Sequence, residues 1–334
     1  MPSTVNAAFA VFLRDTVNLD PQVTKSARAS RDWLAGQIHA FPETFDDFPA
    51  LYTDKDIAFG SFARNTKIRE LDDIDLMFCL RGNGATYTDY GEYIQVFAPK
   101  STGPLHSYCN DNSDILNSRK IINKFVSCLE EVPNYQKADI KRTLEAATLR
   151  LTSYTWNFDI VPCFFTTPEW DGRTYYIIPD GQGNWKKTDP RKDRDAVTAT
   201  NLLHDGNIFN PIRCIKFWNK RPVAPAIPSY LLETILITYY QSRVDPKAYS
   251  FADLEIPFLL IHIANSILGP VSDIKRIQGN LNNLALEEKI KINNRAEKDY
   301  LRALEAGKAE SDGDHETSIR GWREVFGSSF PAYD

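Results

Sequence analysis

The chain has 334 residues, 43% hydrophobic and 25% charged, which is the balance of a globular protein large enough for two cores. Its formal net charge is −5, with no basic stripe, which argues against a platform for long DNA or RNA and leaves small phosphorylated substrates open. No run of about 18 apolar residues is present, so no membrane span is expected, and the N-terminus lacks the pattern of a secretory signal.

In chain order, residues 1–45 read as helices. Phe9, Phe12 and Leu13 fall on one face, as do Trp33, Leu34, Ile38 and Phe41, and Asp20-Pro21 breaks the stretch. From about residue 57 the texture becomes mixed. Strands are expected at 57–59, 75–80, 93–97, 144–154, 158–165 and 175–178, with a helix over 114–131 and a turn at Asp180-Gly181. Beyond about 190 the pattern is helical, with helices expected at 193–204, 211–220, 228–243, 253–267, 271–285, 287–307 and 317–326. The acidic stretch 310–316 reads as an exposed loop. The fold class is therefore α+β, a mixed sheet with helices followed by a helical domain, two lobes around a cleft. Residues 1–50 are expected to bridge the lobes, 51–190 to form the catalytic core and 191–334 the helical domain. Five scattered cysteines with no CxxC pair and no histidine at zinc spacing read as free thiols of a reducing cytoplasm.

The informative stretch is IAFGSFARNTKIRELDDIDLMF, residues 57–78. Residues two apart on a strand share a side, so Asp73 and Asp75 project together. Two carboxylates about 4 Å apart repel by roughly 1 to 4 kcal/mol, and a hard divalent cation offsets that. Asp159, in the apolar run NFDIVP, supplies a third carboxylate if its strand lies beside the first. Such a trio can bridge two metal ions for in-line attack at phosphorus. Gly60-Ser61 turns a strand into a helix N-terminus, where backbone N–H groups and a hydroxyl suit a phosphate. The Asp-x-Asp spacing alone says little. It recurs at Asp54/Asp56, Asp193/Asp195 and Asp312/Asp314, which read as solvated loop or helix-start residues. Asp72 is expected to point to the opposite face.

Taken together, Gly60-Ser61, Asp73-x-Asp75 and the separate Asp159 resemble the polymerase β-like nucleotidyltransferase superfamily. Within it, the segments GSFARNTKI, LDDIDLMF, FDIVPCF, TDPRKDRDAVTATN, PIRCIKFWNK and PSYLLETI resemble the bacterial cyclic-oligonucleotide synthases, relatives of animal cyclic GMP–AMP synthase and oligoadenylate synthase that serve in anti-phage signalling. They lie in that family's order over residues 57–235. The resemblance implies two Mg²⁺ ions, with Mn²⁺ as a substitute, held by Asp73, Asp75 and Asp159. It implies triphosphate contacts from Gly60, Ser61, Lys216 and Ser229, and base stacking by Tyr230. Each residue has a plainer reading: a solvated lysine, a helix cap at Ser229, core packing at Tyr230. Arg64 and Thr66 are expected to help order the Gly-Ser loop. The implied reaction joins nucleoside triphosphates into a cyclic product, a dinucleotide for preference, in the cytoplasm, with a regulatory protein partner left open. A linear or terminal RNA nucleotidyltransferase and a degenerate nucleotide-binding or antitoxin-like module are the rivals. The zinc-binding insertion and basic DNA platform of the animal enzyme are absent.

Overall fold

The computed structural model describes residues 2–243 and 245–334. Its chain forms two compact units. Residues through Pro21, Arg64–Arg69 and Lys192–Asp334 make up the first; Gln22–Ala63 and Glu70–Arg191 make up the second.

Both units draw on the N-terminal helices, α1 (Val5–Phe12) and α2 (Pro21–His39), which a short helix, α3 (Phe41–Thr44), follows. The second unit is built on one mixed sheet. Its strands are β1 (Ile57–Phe59), β2 (Asp73–Cys79), β3 (Thr86–Asp89), β4 (Ile94–Phe97), β5 (Asp139–Thr143), β6 (Ala146–Arg150), β7 (Asn157–Phe165), β8 (Tyr176–Pro179) and β9 (Trp185–Thr188). A single helical turn, α4 (Gly60–Ala63), follows β1, and α5 (Ser118–Glu130) precedes β5. The order is β1-β2-β7-β8-β9-β4-β3, with β6 on β7 and β5 on β6. β7 organises the sheet because it is long. Asn157 to Ile160 pair with β6 on one side while Asn157 to Cys163 run parallel to β2 on the other, and Phe164-Phe165 pair with β8.

The sequence of β2, DIDLMFC, is polar at its start and apolar after Asp75, so the strand sinks from a wet end into the interior. One face carries Asp73 and Asp75 and then Met77 and Cys79, which are buried with Val161, Cys163 and Ile178. The other face carries Ile74, Leu76 and Phe78, all buried; His39 of α2 meets the Phe78 ring with centroids 5.8 Å apart. α5 turns Ile121, Ile122, Phe125 and Leu129 inward, and Asn117 caps its first turn at the N–H of Arg119.

The first unit is helical: α6 (Pro190–Leu203, of which Lys192 onward belongs here), α7 (Phe209–Lys220), α8 (Ser229–Ser242), α9 (Ala252–Ile267), α10 (Leu286–Ser311) and α11 (His315–Phe326). α8 is apolar on nearly every side, with Leu231 through Ile237 buried, so it is a central helix. α1 docks through Phe9, whose ring lies 5.0 Å from Trp322 and 4.9 Å from Phe330, and through Phe12, 5.1 Å from Phe217. All five cysteines are buried with free thiols; burial pushes Cys163 well above its ordinary value and Cys128 up to about 11. Among the described residues no helix is long and apolar enough to cross a membrane.

Several sequence expectations are corrected. Residues 271–285 form no helix. Asp273 accepts from the N–H groups of Lys275, Ile277 and Gln278, and Asn280 from those of Val271 and Asn282, which folds the segment into a loop. The acidic stretch 310–316 is mostly helix end and helix start, with Asp314 capping α11 at the N–H of Thr317. Of the single strand expected at 144–154 only Ala146–Arg150, β6, is strand, and it pairs as a hairpin with β5, which lies before the expected stretch. Asp56 is no solvated loop residue: it accepts from the Cys79 N–H at 2.7 Å and pairs with His39, and burial raises its pKa. Asp193 is buried too.

Candidate active site

β2 and β7 run parallel with Asp75 directly opposite Asp159 and Asp73 opposite Asn157. Opposite residues on neighbouring strands share a face, so the three carboxylates lie on one side of the sheet, at the end where both strands begin. One row crosses four strands: Phe59 of β1, Asp75, Asp159 and Thr148 of β6. Thr148 Oγ1 donates to Asp159 Oδ1 at 2.7 Å, which fixes that carboxylate from its outer neighbour. Asp73, Asp75 and Asp159 are all partly exposed, whereas Ile74 and Phe158 on the other face are buried. Asp72, which is exposed, accepts the Asn157 N–H on its carbonyl at 2.9 Å and so joins the start of the two strands.

Gly60 stands directly under this row. Its φ is +71°, and a Cβ built there would come 1.8 Å from Asp75 Oδ2. The turn therefore needs glycine twice over, for its backbone angle and for the approach of the carboxylate. Gly60→Ala is expected to strain the backbone by about 1 to 2 kcal/mol and to push the Asp75 carboxylate aside. A displacement of that kind lowers turnover roughly 10²-fold. Steady-state kinetics beside a melting curve separates the two effects, and wild-type turnover would show that Asp75 is not held by this contact. The helix that Gly60 opens is one turn, Gly60–Ala63, so it exposes a few N–H groups without a long helix dipole.

All three acidic side chains offer only oxygen, partly hydrated and on one face, a donor set suited to Mg²⁺ or Mn²⁺ and unsuited to a thiophilic metal. In the conformation seen here they do not enclose an ion: among the described residues no three His, Cys, Asp or Glu side chains are grouped to hold one.

Lys216, Ser229 and Tyr230 belong to the helical unit. Lys216 on α7 is 8% exposed, and its Nζ lies 2.5 Å from Glu233 Oε1 on α8. Glu233 also accepts Arg64 at 2.9–3.0 Å. One carboxylate thus sits between two cations. Burial and the nearby Arg64 and Lys67 outweigh Glu233 and hold Lys216 below the ordinary lysine value. Glu233 is kept below the ordinary carboxylate range, its burial overcome by Arg64 and Lys216. Arg64 and Lys216 are thereby placed with a net positive charge about one acidic group. Arg213 donates to the Asn65 carbonyl at 2.6 Å and 3.0 Å. Ser229 does not cap α8. Pro228 occupies the cap position without a side-chain bond, and Ser229 is an exposed first-turn residue. Tyr230 is half-buried, its hydroxyl between Asp193 and Asp273. Glu233, Asp193 and Asp273 were missed in the sequence; only the placement of Glu233 in a helix that is otherwise apolar could have singled it out.

No family model matches the chain. A probable cyclic nucleotide synthase of Bacillus cereus is 43% identical over 335 residues, covering all of both chains. The chain belongs to the bacterial cyclic nucleotide synthases. It is thus a nucleotidyltransferase that makes a cyclic oligonucleotide. A cyclic AMP-AMP-AMP synthase of Escherichia coli is 22% identical over 96% of each chain. E. coli CdnC, solved with ATP, superposes with a TM-score of 0.69 at 19% identity over 98% of this chain and 99% of its own; CdnC in complex with HORMA-deltaN gives 0.69 at 18% over 98% of each. At that identity the solved structures establish the synthase fold, the α+β core with its helical part, and no more.

Proposed function

We propose that this synthase condenses nucleoside triphosphates into a cyclic dinucleotide with release of pyrophosphate, using Asp73, Asp75 and Asp159 to hold two magnesium ions. The observation that carries the reading is the register that sets Asp75 against Asp159, with Gly60 beneath. Bound magnesium, or manganese in its place, supplies charge neutralisation at the triphosphate and lowers the pKa of the attacking hydroxyl. The chain's own residues do the rest. Gly60 and Ser61 seat the donor triphosphate with backbone N–H groups and a hydroxyl. Lys216 and Ser229 add phosphate contacts, and Tyr230 stacks on a base. Asp159, steadied by Thr148, receives the proton of the acceptor ribose hydroxyl as its oxygen bonds to the donor α-phosphorus. The bond from that phosphorus to pyrophosphate breaks, and a second transfer closes the ring. Positioning and electrostatics supply most of the rate.

A cytoplasmic site is proposed on the five buried free thiols, and a role in anti-phage signalling on the family resemblance. A regulatory protein partner is proposed because the CdnC fold relative was solved in a complex with HORMA-deltaN.

Incubation with all four triphosphates and Mg²⁺ or Mn²⁺, then phosphatase treatment and mass spectrometry, tests the reading. The expected product resists phosphatase and has the mass of two nucleoside monophosphates less two waters. A three-residue ring corrects the ring size alone. A phosphatase-sensitive product points to a linear transferase, and no pyrophosphate release with any triphosphate overturns the proposal.

A further inference from the structure

Tyr230 opens α8 with its phenol oxygen 2.8 Å from Asp193 Oδ1 of α6 and 2.6 Å from Asp273 Oδ1 of the 271–285 loop. A phenol has one proton, so it can donate to only one of the two oxygens. With both carboxylates ionised, one short O···O contact would lack a hydrogen. Asp273 accepts three backbone N–H groups, from Lys275, Ile277 and Gln278, and these favour its ionised form. Asp193 is 6% exposed, and burial pushes it up. Tyr230 Oη thus lies within hydrogen-bond reach of both carboxylates, and Lys275 Nζ pairs with Asp193 Oδ2 at 3.4 Å.

Lys275 has a second role. Its Nζ also stands 4.2 Å from the centroid of the Tyr230 ring, over one face, and its side chain is 8% exposed. Among the described residues neither an aromatic ring nor a second cation lies over Tyr230. The ring is therefore pinned at its hydroxyl and covered by a cation on one side only.

We infer that Asp193, Asp273 and Lys275 are positioning residues that lock the Tyr230 ring and, through the Lys275 ammonium on one face, bias the opposite face toward a purine base. This rests on the reading of Tyr230 as the base-stacking side chain. A cation over one face draws electron density through the ring and strengthens stacking of a large, electron-rich base on the other. Purines offer more π surface than pyrimidines, so they gain more.

The test is calorimetric binding of ATP, GTP, CTP and UTP, each with Ca²⁺ to suppress turnover. Lys275→Met keeps the length of the side chain and removes its charge. It is expected to weaken ATP and GTP about three- to thirty-fold and to change CTP and UTP less than about twofold. Lys275→Arg, which keeps a cation at the ring, restores the purine preference, a rescue that a purely structural role would not show. Lys275→Gln serves the same purpose if the methionine variant melts below the assay temperature. Tyr230→Ala tests the parent reading separately. If it leaves all four affinities unchanged, Tyr230 is not the stacking residue. If it weakens them while Lys275→Met acts on purines and pyrimidines alike or on neither, only the present inference fails.

Discussion

Asp75→Asn is expected to reduce synthesis by roughly 10³-fold or more, a loss of about 4 kcal/mol in transition-state stabilisation, while leaving the fold intact. Asparagine matches aspartate in size, so the contact over Gly60 and the ladder to β7 persist. What is lost is the charge that offsets a divalent ion. Asp75 is partly exposed and stands at the polar start of β2, ahead of its apolar residues. Asp159→Asn adds a test of direction. Its amide can still meet Thr148 Oγ1 but can take no proton from the acceptor, and a comparable loss is expected. Pyrophosphate release followed with time, beside a melting curve, checks both. Normal turnover by either variant would remove the carboxylate row from the mechanism, and a collapsed melting curve would move it to the fold.

That row was readable because its signals are local. A period-two pair of aspartates at the mouth of an apolar strand, a Gly-Ser turn upstream and a third aspartate in another apolar run need no knowledge of the tertiary structure. The partnership of Asp75 with Asp159 was implied once both runs were read as strands, although 84 residues separate them. Other parts were hidden for physical reasons. β3, TYTD, and β5, DIKRT, lie mostly exposed and show no apolar alternation; their partners β4 and β6 hold them in place. The segment 271–285 carries Ile274, Ile277, Leu281 and Leu284 at helical spacing, yet Asp273, Asn280 and Asn282 bond to the backbone and win it for a loop. Asp56 and Asp193 looked like surface acids because nothing local announces burial. Their partners, His39, Tyr230 and Lys275, are distant in sequence. The same is true of Lys216. The residues around it suggested phosphate contact, whereas its neutralising neighbour Glu233 could be known only from the packing of α7 on α8.

Glu233→Ala is the substitution expected to cost most in stability. Glu233 is 3% exposed and stands between Arg64 and Lys216, so its removal takes from both confined cations the carboxylate they contact. Breaking a buried pair in this way costs about 3 to 5 kcal/mol, or roughly 6 to 20 °C in Tm for a unit of this size. The pH dependence has a definite sign. Because Glu233 titrates below its ordinary value in the fold, its contribution is full above about pH 4.3 and is lost as the pH falls through its folded value. The melting difference between wild type and variant should thus hold steady near neutrality and shrink in acid. ATP supplies a second readout. If the two cations serve the triphosphate, ATP should raise the Tm of the variant more than that of the wild type, its phosphates standing in for the lost carboxylate. Equal shifts would mean that the triphosphate does not reach Lys216. A Tm unchanged by the substitution would show the ion pair to be dispensable.

The placement of the five thiols has a practical outcome. Every one is shut inside the protein, and burial drives Cys163 and Cys128 toward the unreactive protonated form. Alkylating reagents should therefore leave the native enzyme almost unlabelled, and the pace of their slow uptake becomes a clock for how often the interior opens. A fluorophore could then be attached through one cysteine introduced on the surface, with none of the natural five replaced.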